Sequence, residues 1–214
     1  MSKKIIQNYI QIKNDILKLS STTNFIVVSK NQPANLIEDI IKLGHIHFGE
    51  NKLQESLSKW PNLKILYPNV KLHFIGPIQT NKVIGIFNIF DYIHSLDSKR
   101  LVDAFSAQEI KLKKKLKYFI QINIDNEAQK RGIHISDLAN FISYCNSANL
   151  NLIGLMCIPP FNKDPKFFFK ILKELAEKNF LKDLSMGMSD DYKEAALNGS
   201  TWVRVGSKIF SNLS

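Results

Sequence analysis

The sequence predicts an α/β fold: a closed TIM-type (β/α)8 barrel with one additional N-terminal helix. Three observations carry this expectation. Eight short apolar or β-branched runs alternate with amphipathic stretches over a chain of 214 residues. A segment of helical length fills each interval, so neighbouring strands should be parallel, because a parallel crossover needs a dozen residues or more. No G-x-G-x-x-G turn follows the first strand, which argues against an open doubly wound sheet. No linker, low-complexity tract or shift in composition divides the chain, so residues 1–214 are expected to form one domain.

The elements follow in order. Apolar positions at Ile5, Ile6, Tyr9, Ile12, Ile16 and Leu19 predict an opening helix. Phe25 to Lys30 reads as a buried strand, followed by a helix from Ala34 to Leu43. Next come a strand from His45 to Gly49 and a helix through Leu57, then a strand from Lys71 to Gly76 and a helix from Thr80 to Asn88. Tyr92 to Ser95 precedes a helix from Ser98 to Glu109, and Tyr118 to Ile124 precedes one from Ser136 to Ala148. Leu152 to Ile158 leads to Pro165 to Asn179. Leu184 to Met186 leads to Asp190 to Asn198, and Trp202 to Val205 is the last strand.

Composition narrows the function classes. With 44% apolar and 22% charged residues the chain is ordinary for a globular protein. Its net charge of +10 suggests an anionic partner. Yet the basic residues are nearly all lysines spread along the chain, with arginine only at 100, 131 and 204. The densest run, Lys111 to Lys117, reads as a solvated helix end and turn. Basic and aromatic residues do not interleave as a base-stacking surface requires, so nucleic acid is not an expected partner. No apolar run is long enough for a membrane span, and M-S-K-K-I-I-Q-N is not a secretory signal. Cys145 and Cys157 have neither C-x-x-C nor metal-ligand spacing, so no metal is expected and a reducing cytoplasm is.

In such a barrel the chemistry lies where strands end. Lys30 closes F-I-V-V-S, and a buried strand should desolvate its ammonium, lower its pKa and free the amine to attack an aldehyde. Glu50 and Asn51 follow the second strand, Asn123 lies in the fifth and Met156 in the sixth. Ser185 to Ser189, S-M-G-M-S, and Gly206-Ser207 bring hydroxyls and glycines to the loops that commonly hold phosphate. Ser189 reads as the cap of the next helix with acids behind it, so Ser185, Gly206 and Ser207 are the better phosphate candidates. Arg204 lies between Val203 and Val205 and so faces away from them. Inside a barrel it needs an acceptor: a carboxylate, a carbonyl or a ligand. His73 and His94 could line the mouth, whereas His45, His47 and His134 suggest no metal site. Met156, Met186 and Met188 should pack against whatever fills the barrel.

These residues resemble a known family. V-V-S-K with Pro33, F-G-E-N with Gln54-Glu55, H-F-I-G-P-I-Q-T-N-K (His73 to Lys82), G-L-M-C-I-P (Gly154 to Pro159), L-S-M-G-M-S-D-D and V-R-V-G-S-K-I-F are similar, in order and spacing, to blocks of the pyridoxal phosphate homeostasis proteins. Those are single-barrel relatives of the N-terminal domain of alanine racemase. The resemblance implies pyridoxal 5'-phosphate as cofactor, with an internal aldimine on Lys30, Arg204 facing the pyridine nitrogen and Asn51 near the ring. It places the phosphate on Ser185, Gly206 and Ser207 and puts Met156 and Met186 in the pocket. The sequence departs from the family at N-Q-P after Lys30, at Lys52 where tyrosine is usual, at Ser207 where threonine is common, and at the ending I-F-S-N-L-S.

The same resemblance implies binding rather than catalysis. An arginine opposite the ring nitrogen disfavours its protonation and leaves a weaker electron sink. The chain ends at Ser214, soon after the eighth strand, and is expected to lack the second domain that gives alanine racemases their other acid–base group. The expectation is a cytoplasmic carrier or buffer in vitamin B6 homeostasis, a monomer meeting pyridoxal-dependent apoenzymes transiently, with no membrane partner. The alternatives are a racemase-like enzyme using Tyr67, His73 or His94, and a barrel that binds sugar phosphates or nucleic acid with Lys30 as a mere electrostatic contact.

Overall fold

Strand β1 (Asn24–Val28) pairs in parallel with both β2 (His47–Glu50) and β8 (Trp202–Val205), closing a barrel whose strands neighbour one another in sequence order. The computed structural model describes residues 2–127 and 129–211; Asn212, Leu213 and Ser214 of the atypical ending lie outside the described residues. Between β2 and β8 stand β3 (Lys71–Phe74), β4 (Tyr92–Leu96), β5 (Lys117–Gln121), β6 (Leu152–Met156) and β7 (Asp183–Ser185). The predicted barrel is therefore the observed one.

Around it lie α1 (Ser2–Leu19), α2 (Ala34–Lys42), α3 (Leu53–Leu66), α4 (Val83–Ile89), α5 (Lys99–Leu112), α6 (Leu138–Ser147), α7 (Pro165–Lys178), α8 (Tyr192–Leu197) and α9 (Ser207–Phe210). Ile5, Tyr9, Ile12 and Ile16 form one buried stripe on α1, three or four residues apart, which seats the additional helix on the barrel. Asp164 caps α7, accepting a hydrogen bond from the Lys166 N–H at 3.0 Å, and Pro165 fills the first helical position, where a missing N–H does no harm. The lysine run after α5 is solvated as expected: Lys113 turns left-handed at φ 49°, and Lys113, Lys114 and Lys115 are exposed.

Strand alternation sorts the side chains into two layers. Phe48, Leu72, Val203 and Val205 point outward and join the large core beneath the helices. Ile26, Tyr92, Phe119, Met156 and Trp202 point inward and fill the barrel.

Several boundaries differ from expectation. Helix α3 does not stop near Leu57 but continues through Pro61 to Leu66, because burial of Lys59, Trp60 and Leu63 outweighs the hydrogen bond lost at the proline. Strand β1 ends before Lys30. Asn123 lies beyond β5, where its side chain pins the following loop: Nδ2 donates to the carbonyl of Glu127 at 2.9 Å and Oδ1 accepts from the Glu127 N–H at 3.2 Å. The short helix α9 was not anticipated.

Candidate functional site

Val27 lies opposite Val205, so the residues after β1 and β8 meet at the C-terminal mouth of the barrel. There Val28, Lys30, Asn31, Gly206, Ser207 and Phe210 line a cavity of about 280 Å³. Gly206 is required at this point: a Cβ would lie 2.8 Å from the Val28 carbonyl oxygen, so only glycine lets the two strand ends close. Ser207 then begins α9, whose first N–H groups have no partner within the helix.

Lys30 is exposed, not held within a strand. The chain leaves β1 at Ser29 and turns left-handed at Asn31, φ 60°, which sets the lysine on the rim of the cavity. The desolvation argued from the sequence therefore does not hold. What the fold supplies instead is a clamp on both neighbours of Lys30. Glu50, fully buried, accepts hydrogen bonds at Oε1 from Ser29 Oγ (2.7 Å), Lys59 Nζ (2.8 Å) and Trp60 Nε1 (3.0 Å). Lys59 also donates to the Ser29 carbonyl at 3.0 Å and to Glu55 at 2.7 Å, and Glu55 accepts from the Asn31 N–H at 2.5 Å. Helix α3 thus grips the turn that carries Lys30.

Arg204 points into the barrel, two residues before Gly206 and so about 7 Å lower along the strand. It is 5% exposed and donates to Ser185 Oγ at 2.5 Å and to the Cys157 carbonyl at 3.0 Å. Burial lowers its pKa from the usual range.

The other candidates divide. Ser185 is not at the cavity: Leu184 and Met186 face the outer core, so Ser185 faces inward, between Arg204 and the Nδ1 of His94, 2.8 Å away. Met186 points outward into the core beneath the helices. Met156 is in the barrel filling. His73 and His94 are buried in the barrel interior instead of lining the mouth. Asn51 borders a separate hollow of about 370 Å³ with Lys52, Lys82 and Arg131, and its buried Oδ1 has no hydrogen-bond partner.

Ser189 is the residue the sequence reading set aside. Asp191, not Ser189, precedes α8, and the buried Ser189 Oγ accepts a hydrogen bond from the Gly206 N–H at 3.3 Å. Its signal was Gly187, two residues before it. With φ +91° that glycine turns the chain after β7 back toward β8, where its carbonyl accepts the Arg204 N–H at 2.9 Å.

A closed barrel with a lysine and a glycine–serine pair at its mouth, above a buried arginine, defines a class, and comparison with known proteins agrees. The pattern of the alanine racemase N-terminal domain family matches residues 3–212. An alanine racemase from Clostridium difficile superposes with a TM-score of 0.75 at 11% identity, over 99% of this chain and 57% of that one, a likeness of fold.

Within that class the relatives are particular. A pyridoxal phosphate homeostasis protein of Vibrio alginolyticus is 37% identical, over 94% of this chain and 92% of its own. Its human counterpart is 36% identical, over 86% and 74%. PipY of Synechococcus elongatus, solved with pyridoxal phosphate bound, superposes with a TM-score of 0.86 at 29% identity, over 97% of this chain and all of that one, 100%. The chain belongs to the pyridoxal phosphate homeostasis protein family.

Proposed function

We propose that this chain holds pyridoxal 5'-phosphate at the mouth of the barrel through Lys30 and acts as a carrier or buffer of the cofactor, not as an enzyme. The observation that carries the reading is the meeting of Lys30, Gly206 and Ser207 around one cavity above Arg204. The bound cofactor would supply an aldehyde that an amine captures reversibly with release of water, and a ring that draws electrons from that position.

The residues present fit such a group. Lys30 offers an accessible amine on a turn fixed from both sides. Ser207 and the first N–H groups of α9 offer donors for a phosphate, with the Ser189 hydroxyl behind them on the Gly206 N–H, at a place where a Cβ would intrude on the backbone. Arg204 can only donate, so a ring nitrogen held against it would accept and be disfavoured from protonation. The unpartnered Oδ1 of Asn51 is a free acceptor in the next hollow.

The carrier reading gains support from where the alternative acid–base groups lie. Tyr67 donates to Glu38 on the outside of the barrel at 2.7 Å, and His73 and His94 bond to each other in the interior at 2.9 Å. Apoenzymes that need pyridoxal phosphate are the recipients that such a carrier would serve.

Absorption spectra after incubation with pyridoxal phosphate, before and after borohydride, test the reading on wild type, Lys30→Ala and Ser189→Ala. The expected result is a yellow band that reduction fixes on the Lys30 peptide, absent from Lys30→Ala, and bound about tenfold more weakly by Ser189→Ala. No band in the wild type would overturn the reading. Steady racemisation of an amino acid above the rate of free cofactor would replace the carrier with an enzyme.

A further inference from the structure

Inside the barrel a line of hydrogen bonds joins five strands, β2, β3, β4, β7 and β8, and ends on Arg204. His47 Nδ1 lies 3.0 Å from His73 Nε2, His73 Nδ1 lies 2.9 Å from His94 Nε2, and His94 Nδ1 lies 2.8 Å from Ser185 Oγ. Ser185 Oγ in turn meets Arg204 Nη1 at 2.5 Å. His73, His94 and Ser185 are fully buried. His73 stacks on Tyr92 with ring centroids 4.1 Å apart, and His94 stacks on Phe119 at 4.3 Å, which fixes both ring planes.

The arginine dictates the polarity of this line. A guanidinium has no acceptor, so Ser185 Oγ accepts from it, and the hydroxyl hydrogen goes to the other partner, His94 Nδ1. His94 then carries its proton on Nε2 and donates to His73 Nδ1. His73 donates from Nε2 to His47 Nδ1, leaving the His47 proton on Nε2. The opposite polarity would give Ser185 two donors and leave its own buried hydrogen without an acceptor, a cost of the size of a lost hydrogen bond.

We propose that His47, His73 and His94 form a polarised chain of neutral Nε2–H imidazoles whose negative end, at Ser185, holds Arg204 in place for the ring nitrogen of the cofactor. The consequence for the cofactor rests on the pyridoxal reading above; the chain itself does not. His73 and His94 are positioning residues, since they act through Ser185.

Physical need supports this. The hydrogen-bond acceptors of Arg204 are a hydroxyl and a carbonyl, both neutral, although the guanidinium is buried. In the chain every O–H and N–H points away from Arg204, so each bond polarises the next and turns negative charge toward the cation. The imidazoles are kept neutral by burial, with the Arg204 charge adding at His94 and neighbouring histidines at His73. His47 is pushed down to about 4 by burial, then by Lys117 and Lys71, with Asp91 acting against them.

Long-range ¹H–¹⁵N spectra of the full chain labelled at histidine, from pH 5 to 8, read the tautomers directly. The expected result is Nε2–H for His47, His73 and His94, without titration over that range. An Nδ1–H tautomer or a titration at any of them would overturn the chain. Pyridoxal phosphate titrations of wild type, His94→Phe and His94→Gln read its consequence. His94→Phe should bind about tenfold or more weakly with a displaced absorption band, and His94→Gln, which can still accept and donate, should recover part of both.

A folded His94→Phe with the wild-type affinity and band would overturn the positioning role; if it does not fold, Ser185→Ala breaks the same link and is judged by the same outcomes. No band in the wild type would overturn the pyridoxal reading instead, and the tautomers would then judge the chain alone.

Discussion

Lys30 owes its place to residues some twenty to thirty positions away. Glu50 and Lys59 are 0% and 9% exposed and form an ion pair at 2.8 Å that also bonds Ser29, while Glu55 takes the N–H of Asn31. Removing one partner of a buried pair strands the other charge. Lys59→Met should therefore destabilise the fold by about 3–5 kcal/mol, measured by urea unfolding, and weaken cofactor capture beyond the loss in folded fraction. An unchanged unfolding midpoint would mean that the pair does not hold the turn. Of the site residues, Lys30, Gly206 and Ser207 were legible in sequence because each lies within two residues of a strand's C-terminal end. Ser185 and Ser189 were not, since both are hydroxyls near the same glycine. Which one turns inward to Arg204 and which meets the Gly206 N–H depends on where β7 stops.

At the scale of elements, strand periodicity was readable and boundaries were less so. The helix was expected to run only through Leu57, yet α3 continues past Pro61 to Leu66, since Trp60 and Leu63 are buried on the core side and Pro61 itself faces solvent. That helix must reach back far enough to bring Lys59 under the Lys30 turn, which no local propensity records. The proline removes a helical hydrogen bond at a position where the N–H would otherwise bond the Leu57 carbonyl. Pro61→Ala should stabilise the protein by about 1–2 kcal/mol, part of the helix gain being lost to a freer unfolded chain, and raise the Tm in calorimetry. A lower Tm would indicate that the ring itself packs usefully against α3. The loop after β5 shows the same limit. Asn123 was read into the strand, but the chain leaves at Gln121, and an isolated bridge between Ile122 and Ile133 ties the loop back.

For the whole molecule, the histidines set the response to acid. Burial pushes His45 down to about 3 and His47 to about 4, and holds His73 and His94 well below the usual range near 6.5. The folded chain keeps them neutral while the unfolded chain binds protons. Their contribution to stability is thus fully present above about pH 6.5 and is lost as the pH falls toward their folded values. Each histidine contributes a slope of about 1.4 kcal/mol per pH unit once the unfolded chain is protonated. Urea midpoints should therefore fall steeply between pH 6 and pH 4, and a flat profile would show that these rings are not buried neutral. By itself the sequence determined the parallel barrel, its strand order and the lysine, arginine and glycine at the strand ends, because side-chain period and crossover length are local properties of a chain. Only the tertiary structure decided which hydroxyl bonds Arg204 and which meets Gly206, that the lysine stands on the rim rather than in a strand, and that three histidines line up behind Arg204. Those facts depend on register and on contacts across the barrel, where residues distant in sequence share one buried space and must satisfy one another's hydrogen bonds.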